Sequence, residues 1–332
     1  MPDKARKWTD KKLTRMEREL TLIYQQAEAE IRAEWDEYMQ RLNKRLAKKQ
    51  EALQKAIKDG DKAAIKKAKE DLQKSIRWGT LMNKKYQAMV EKVAENLTNV
   101  NKIALAYVNG ELPSIYVHNY NGISADIKQV IKGYDWTAVN EETVRQLTVL
   151  NQTLMLPASK VNIAKDKRWN KKQINNAVLQ GILQGDDIPT IAKRIQSVTD
   201  SNRKAAIRNA RTMVTAAENR GRLAAQERAE QSGIVLQKEW IATADSRTRE
   251  SHLALDGQTR DTNKPFSNGL LYPGDYGGEP SEVYNCRCSM TTKIIGFRKA
   301  DGHIDYVKQV DEGEDLHDRQ MATERRKRAE NA

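Results

Sequence analysis

Residues 240–290 read WIATADSRTRESHLALDGQTRDTNKPFSNGLLYPGDYGGEPSEVYNCRCSM, a stretch with both cysteines of the chain and one of its four histidines. Just upstream, Ile234, Leu236 and Trp240 alternate with Gln237 and Glu239, the two-residue period of a half-buried strand, although Lys238 interrupts the apolar face. After Cys288, Met290 to Phe297 reads as a second strand, and the two are expected to pair. Between Asp261 and Glu282 glycine, proline, asparagine and aspartate crowd a loop of a length that is usually functional or held by a partner. The C-terminal part is therefore read as a small α+β module.

Cys286 and Cys288 are two apart, so an extended segment projects both sulfurs from one face and Arg287 from the other. A disulfide between them would close too few atoms to keep the normal torsion and spacing, so thiols or thiolates are expected. His252, in Arg249-Glu250-Ser251-His252 before the turn-forming Leu255-Asp256-Gly257, is the third partner. One histidine and two cysteines suit zinc and leave a fourth position for water, a carboxylate such as Asp256, or nothing. The same residues also read as two reduced cysteines in a small core with His252 hydrogen-bonded nearby, and spacing leaves both open. A zinc ion held by His252, Cys286 and Cys288 could activate a water with Asp245, Glu250 or Asp256 as base, giving a hydrolase or nuclease. Against that enzyme, the block has a single histidine, and no Ser/His/Asp arrangement, phosphate-cradling glycine loop or His-Glu-x-x-His motif occurs elsewhere.

Outward from this block the chain is helical. Leu13, Met16, Leu20, Ile23, Tyr24, Ala27, Ile31, Trp35, Tyr38, Met39 and Leu42 recur at three and four, predicting a long helix over residues 8–43, with Thr9-Asp10 as its cap. The pattern continues to Lys58, Asp59-Gly60-Asp61 breaks it, and a helix from Lys62 to about Trp78 completes a hairpin. Gly79 interrupts, and Leu81 to Tyr107 resumes the pattern. Asn109-Gly110 and Pro113 predict a connection over 109–123, with a short strand at Ile115–Tyr120. Short helices follow, one capped by Ser124 and one over Glu141–Leu150, and Pro157 separates them from what comes next. Three further helices, over 170–183, 188–198 and 203–231, are punctuated by Gly185-Asp186-Asp187 and Thr199-Asp200-Ser201. The fold class is α+β and predominantly helical, with a long helical N-terminal half and a small α+β C-terminal module. The division is a helical hairpin or bundle over 1–108, a connecting region with short helices over 109–159, the main domain over 160–298 and a charged tail over 299–332.

Lysine and arginine number 58 against 45 acidic residues, a net charge of +13. The excess sits in the helical parts: residues 151–232 carry 15 basic and 7 acidic groups, residues 233–332 carry 15 and 17. Such a field favours encounter with double-stranded DNA or an acidic protein surface, and it also serves solubility. Lys165, Lys167, Arg168, Lys171 and Lys172 around Trp169 are the local candidates for DNA contact; Trp169 reads equally as the anchor of its helix. The basic runs at 44–49 and 65–69 have no interleaved aromatic to stack bases and read as solvated faces. Two neighbouring cysteines and no others fit a reducing compartment, and the sequence shows neither a secretion signal nor a membrane span.

Arg247-Thr248-Arg249 followed by His252, then Leu255-Asp256-Gly257, Tyr272-Pro273 and Asn285-Cys286-Arg287-Cys288, resembles the phage head morphogenesis family named after protein F of phage Mu. Upstream, Leu179-Gln180-Gly181, Gly185-Asp186, Ala210-Arg211-Thr212, Ala216, Asn219, Arg220, Trp240-Ile241-Ala242 and Asp245 resemble the helical lead-in of that family, so the likeness covers about residues 169–290. It implies a minor capsid protein, present in few copies inside the prohead, associated with the portal protein and acting in head assembly or in DNA packaging or delivery. Scaffold, the major capsid protein and DNA are the further partners it implies. The chain would work in the virion, and in the host cytoplasm during assembly. The motif residues carried over are Trp240, Asp245, Arg247, His252, Asp256, Gly257, Asn285, Cys286 and Cys288. Some relatives have a Cys-x-x-Cys where this chain has Arg249 and His252, and a histidine where it has Val283. A zinc site here would therefore be completed by Asp256, Asp245 or water.

Overall fold

The computed structural model describes residues 3–81, 84–150, 162–184, 186, 188–243, 245–299 and 301–307. It is predominantly helical: α1 Lys4–Lys58, α2 Lys62–Leu81, α3 Lys84–Val130, α4 Glu141–Leu150, α5 Ile163–Gln184, α6 Ile188–Gln231 and the single-turn helices α7 Glu250–Leu253 and α8 Pro280–Val283. Four strands, β1 Ile234–Ile241, β2 Thr259–Asp261, β3 Ser289–Arg298 and β4 Ile304–Tyr306, form one antiparallel sheet in the order β2-β1-β3-β4. Among the described residues no helix is long and apolar enough to cross a membrane. The charged tail from 308 and Pro157 lie outside the described residues.

Several elements are longer than the sequence suggests. The helix α1 begins at Lys4 because Asp3 caps it, its Oδ1 accepting from the amide of Arg6; Thr9 instead bonds back to the Ala5 carbonyl. Its break at Asp59-Gly60 is as expected, with Gly60 at φ +71° and Asp61 Oδ1 accepting from the amides of Ala63 and Ala64 to start α2. The connection and short strand expected over 109–123 are helix instead: α3 runs through Asn109-Gly110 and Pro113, and Ser124 is a buried interior residue, not a cap. Packing overrides the breakers, because Leu112, Ile115, Tyr116, Asn119, Tyr120, Ile123 and Ile127 form one buried face at three- and four-residue spacing. The two helices expected over 188–198 and 203–231 are one, α6, since Ser201 and Asn202 bond back to the carbonyls of Ser197 and Val198.

Contacts divide the chain into two compact units, each assembled from separate stretches: residues 1–17, 107–159 and 208–332 in one, and 18–106 with 160–207 in the other. Residues 160–207 thus cluster with 18–106, and position 108 lies inside α3. In the second unit Trp35, Tyr38, Met39, Tyr86, Val90, Val93, Ile174, Val178, Ile191 and Ile195 form the core among α1, α3, α5 and α6. A polar cluster lies in the same unit: Asn101 Nδ2 donates to Asp166 and Asn202, Asn202 to Asn170, and Asn170 to Thr98. These bonds satisfy amides that would be costly to bury unpaired.

In the first unit the sheet is built on β1 and β3, paired from Ile234↔Phe297 to Ile241↔Ser289 with a bulge between Val235 and Leu236. The strand β1 buries every second residue, Ile234, Leu236, Lys238 and Trp240. Lys238 therefore belongs to the buried face that it was expected to interrupt. Its Nζ donates to the carbonyls of Thr262 (2.8 Å) and Leu271 (2.7 Å) and lies 5.2 Å from the centre of the Phe266 ring. The chain's own buried cation thus holds the long loop in place.

Candidate metal centre

The Cys-x-Cys segment is fixed by a polar stripe on α6. Thr212, Thr215, Asn219, Arg222 and Gln226, at helical spacing, address the segment from Asn285 to Thr292 in turn. Thr212 Oγ1 accepts from the Asn285 amide, and Thr215 Oγ1 donates to the Cys286 carbonyl. Asn219 donates to the Cys288 carbonyl and accepts from the Met290 amide, while Arg222 donates to the Met290 carbonyl. Gln226 closes the series on Thr292 Oγ1 at 2.6 Å. Asn285 enters the segment with φ +58°, a left-handed conformation that asparagine tolerates. Arg222, fully buried, is itself bound by Asp3, Glu218 and Asn119.

Held this way, both sulfurs face His252 on α7. Its Nδ1 lies 3.4 Å from Cys288 Sγ and 3.6 Å from Cys286 Sγ, and the three residues are 1–2% exposed. The cysteines are free, as expected from their spacing. The hydrogen bond to Cys288 and burial push the Cys286 thiol up, while the same bond, with His252 beside it, draws Cys288 down. Trp240 packs edge-on against the His252 ring at 5.2 Å, and Leu253, Leu255, Phe266, Leu270 and Val283 complete the apolar surround.

The remaining motif residues support the fold around this trio. Asp245 takes a bidentate ion pair from Arg287, which holds its carboxyl well below the usual range, and also accepts from Thr248 and from the amide of Arg247. Asp256 Oδ1 accepts from the Ala242 amide (2.9 Å), and Gly257, at φ +74°, donates its amide to the Trp240 carbonyl, so this turn ties off the end of β1. Glu250 is exposed in the first turn of α7. Among the described residues only His252, Cys286 and Cys288 converge as a possible ligand set, their donor atoms within 4.8 Å of one another. The residues fit zinc: a tetrahedral ion with Zn–S of about 2.3 Å and Zn–N of about 2.0–2.1 Å sets S and N about 3.6 Å apart, close to the spacings observed.

Glu282 is the functional neighbour that spacing did not disclose. On α8, its carboxylate accepts from Ser251 Oγ (3.1 and 3.3 Å) and from Asn268 Nδ2 (3.3 Å), and its Oε2 is 3.0 Å from His252 Nε2. The α6 stripe was readable in principle, as polar residues at three- and four-residue spacing within a helix. Glu282 carried no signal, being one acid in a loop rich in them.

The DNA-contact candidates on α5 separate into two sets. Lys167 is paired with Glu91 (3.0 Å) and Glu95 (3.4 Å), and Lys171 with Glu91 (2.7 Å). Lys165, Arg168, Trp169 and Lys172, at i, i+3, i+4 and i+7, form one exposed stripe.

Residues 172–291 match the family model described as Phage Mu protein F like protein. The chain is 28% identical over 238 residues to Minor head protein GP7 of Bacillus phage SPP1, covering 67% of this chain and 74% of that one. It is 31% identical over 128 residues to NAD(+)--arginine ADP-ribosyltransferase EFV of Enterococcus faecalis (strain ATCC 700802 / V583), covering 38% of this chain and 26% of the transferase. The chain thus spans about a quarter of the transferase's length. No solved structure matches it. The segment that is similar to the Phage Mu protein F like family contains the α6 stripe, β1, β2, the start of β3 and the His252, Cys286 and Cys288 cluster.

Proposed function

We propose that this chain is a minor head protein of a bacteriophage, bound to the portal protein during head assembly in the host cytoplasm and retained in the virion. The observation that carries the reading is the likeness to a minor head protein across 67% of this chain, which extends well beyond the 172–291 module. Within it, His252, Cys286 and Cys288 act as a zinc clamp that joins α7 to the start of β3, a structural task for a module whose hydrophobic core is small. With Asp245 engaged by Arg287 and Asp256 by the end of β1, a zinc ion held by this trio would take water as its fourth ligand. The exposed stripe Lys165, Arg168, Trp169 and Lys172 contacts DNA through phosphates, with Lys167 and Lys171 committed to Glu91 and Glu95. Scaffold or major capsid protein are secondary partners in the same assembly.

One observation favours a second reading, a zinc hydrolase or nuclease: three protein ligands with one open position are also the pattern of catalytic zinc. The burial of all three ligands and the engagement of Asp245 and Asp256 weigh against it. Co-purification with a co-expressed phage portal protein, scored by light scattering with metal analysis on the same sample, tests both. A stable complex with zinc supports the structural reading. Stoichiometric zinc, nicked DNA and no complex would replace it with the enzyme.

A further inference from the structure

His252 offers two nitrogens, and the surroundings give them different tasks. Nδ1 faces the two sulfurs. Nε2 is buried, makes no aligned hydrogen bond, and lies 3.0 Å from Glu282 Oε2. An imidazole nitrogen buried next to a carboxylate is stable when it carries the proton, which leaves the lone pair on Nδ1. Glu282 is in turn held by Ser251, the residue before His252, and by Asn268 from the long loop. Three segments thus meet on one carboxylate: α7, α8 and the 261–279 loop.

We infer that Glu282 is the positioning residue of the metal centre: its carboxylate fixes His252 in the Nε2–H form, so that Nδ1 is presented to zinc together with Cys286 and Cys288. This rests on the zinc reading above. Metal-ligating histidines commonly donate their second ring N–H to a carboxylate, which sets the tautomer, the ring orientation and the basicity of the ligand. Here the same contact also makes ligand geometry depend on the loop, because Asn268 and Ser251 aim the carboxylate.

The test is zinc titration of the full-length chain against a competing chelator, paired with nitrogen-15 NMR of the histidine rings, for the unaltered protein and for Glu282→Gln. The expected result is an Nε2–H tautomer in the unaltered protein, an Nδ1 resonance that moves on zinc addition, and affinity about 10–100-fold weaker in Glu282→Gln. If Glu282→Gln does not fold, Ser251→Ala and Asn268→Ala loosen the carboxylate without touching a ligand, and each should weaken zinc several-fold. Affinity and tautomer unchanged in these variants would overturn the inference about Glu282 while leaving the zinc reading standing. Failure of the unaltered chain to bind zinc would overturn the zinc reading itself, and this inference with it.

Discussion

At the scale of single residues, the module has two buried polar centres with different chemistry. One is the His252, Cys286 and Cys288 trio, whose atoms fit a cation. On the zinc reading proposed above, replacing Cys288 by Ser removes a soft ligand, so zinc measured by metal analysis should fall from one equivalent to near zero, with loss of any zinc-dependent rise in melting temperature. Full zinc occupancy in that variant would remove Cys288 from the ligand set. The other centre is Lys238, where burial lowers the ammonium pKa from 10.5 to about 8. Between those values the unfolded chain binds more protons than the folded one, so this residue makes stability rise with pH from about 8 to about 10.5. Below pH 8 both states are protonated and the cost of the buried charge is fully present. The stability difference between the native chain and Lys238→Met should therefore shift in favour of the native chain by up to about 3 kcal/mol between pH 7.5 and 10.5. Urea unfolding at both pH values measures it, and a flat difference would show that Lys238 is not strained by its burial.

At the scale of elements, the same residue type does opposite work in α3 and α6. Gly110 and Pro113 read as a helix end, yet α3 passes through both. The sequence did carry the competing signal, a buried face from Leu112 to Ile127, but local breaker chemistry and tertiary packing cannot be weighed without knowing what the face meets. A Cβ on Gly110 meets nothing within 4 Å, so Gly110→Ala should stabilise the protein by about 0.5–1 kcal/mol. A Cβ on Gly221 of α6 would come within 2.5 Å of the Tyr116 carbonyl oxygen of α3, so Gly221→Ala should cost about 1–3 kcal/mol. Chemical denaturation of the two variants side by side checks the pair, and equal effects would contradict the close approach of the two helices. The strands β1 and β3 were legible because each is long and patterned. The short elements β2, β4, α7 and α8 were not, since three or four residues cannot display a period.

At the scale of the molecule, sequence order and spatial grouping diverge. The resemblance to the phage Mu protein F family suggests a domain over 160–298, and residues 160–207 complete their core with 18–106. Ile174, Val178 and Ile195 pack with Trp35, Tyr86, Val90 and Val93, and Asn170 donates to Thr98. Residues 208–298 depend likewise on the start of the chain and on α3, because the fully buried Arg222 is compensated by Asp3 and Asn119 as well as by Glu218. Cutting at 160 would leave an apolar helical face exposed and a buried guanidinium short of two partners, a loss of the kind that costs several kcal/mol. A fragment of residues 160–298 is therefore expected to show poor amide dispersion and no cooperative melt. Adding residues 1–150 as a separate chain should restore both, since the missing partners of the apolar face and of Arg222 come from that part. A cooperative transition in the 160–298 fragment alone would mean that the stripe on α6 and the β1–β3 sheet suffice, and that the discontinuous grouping is not a unit of stability.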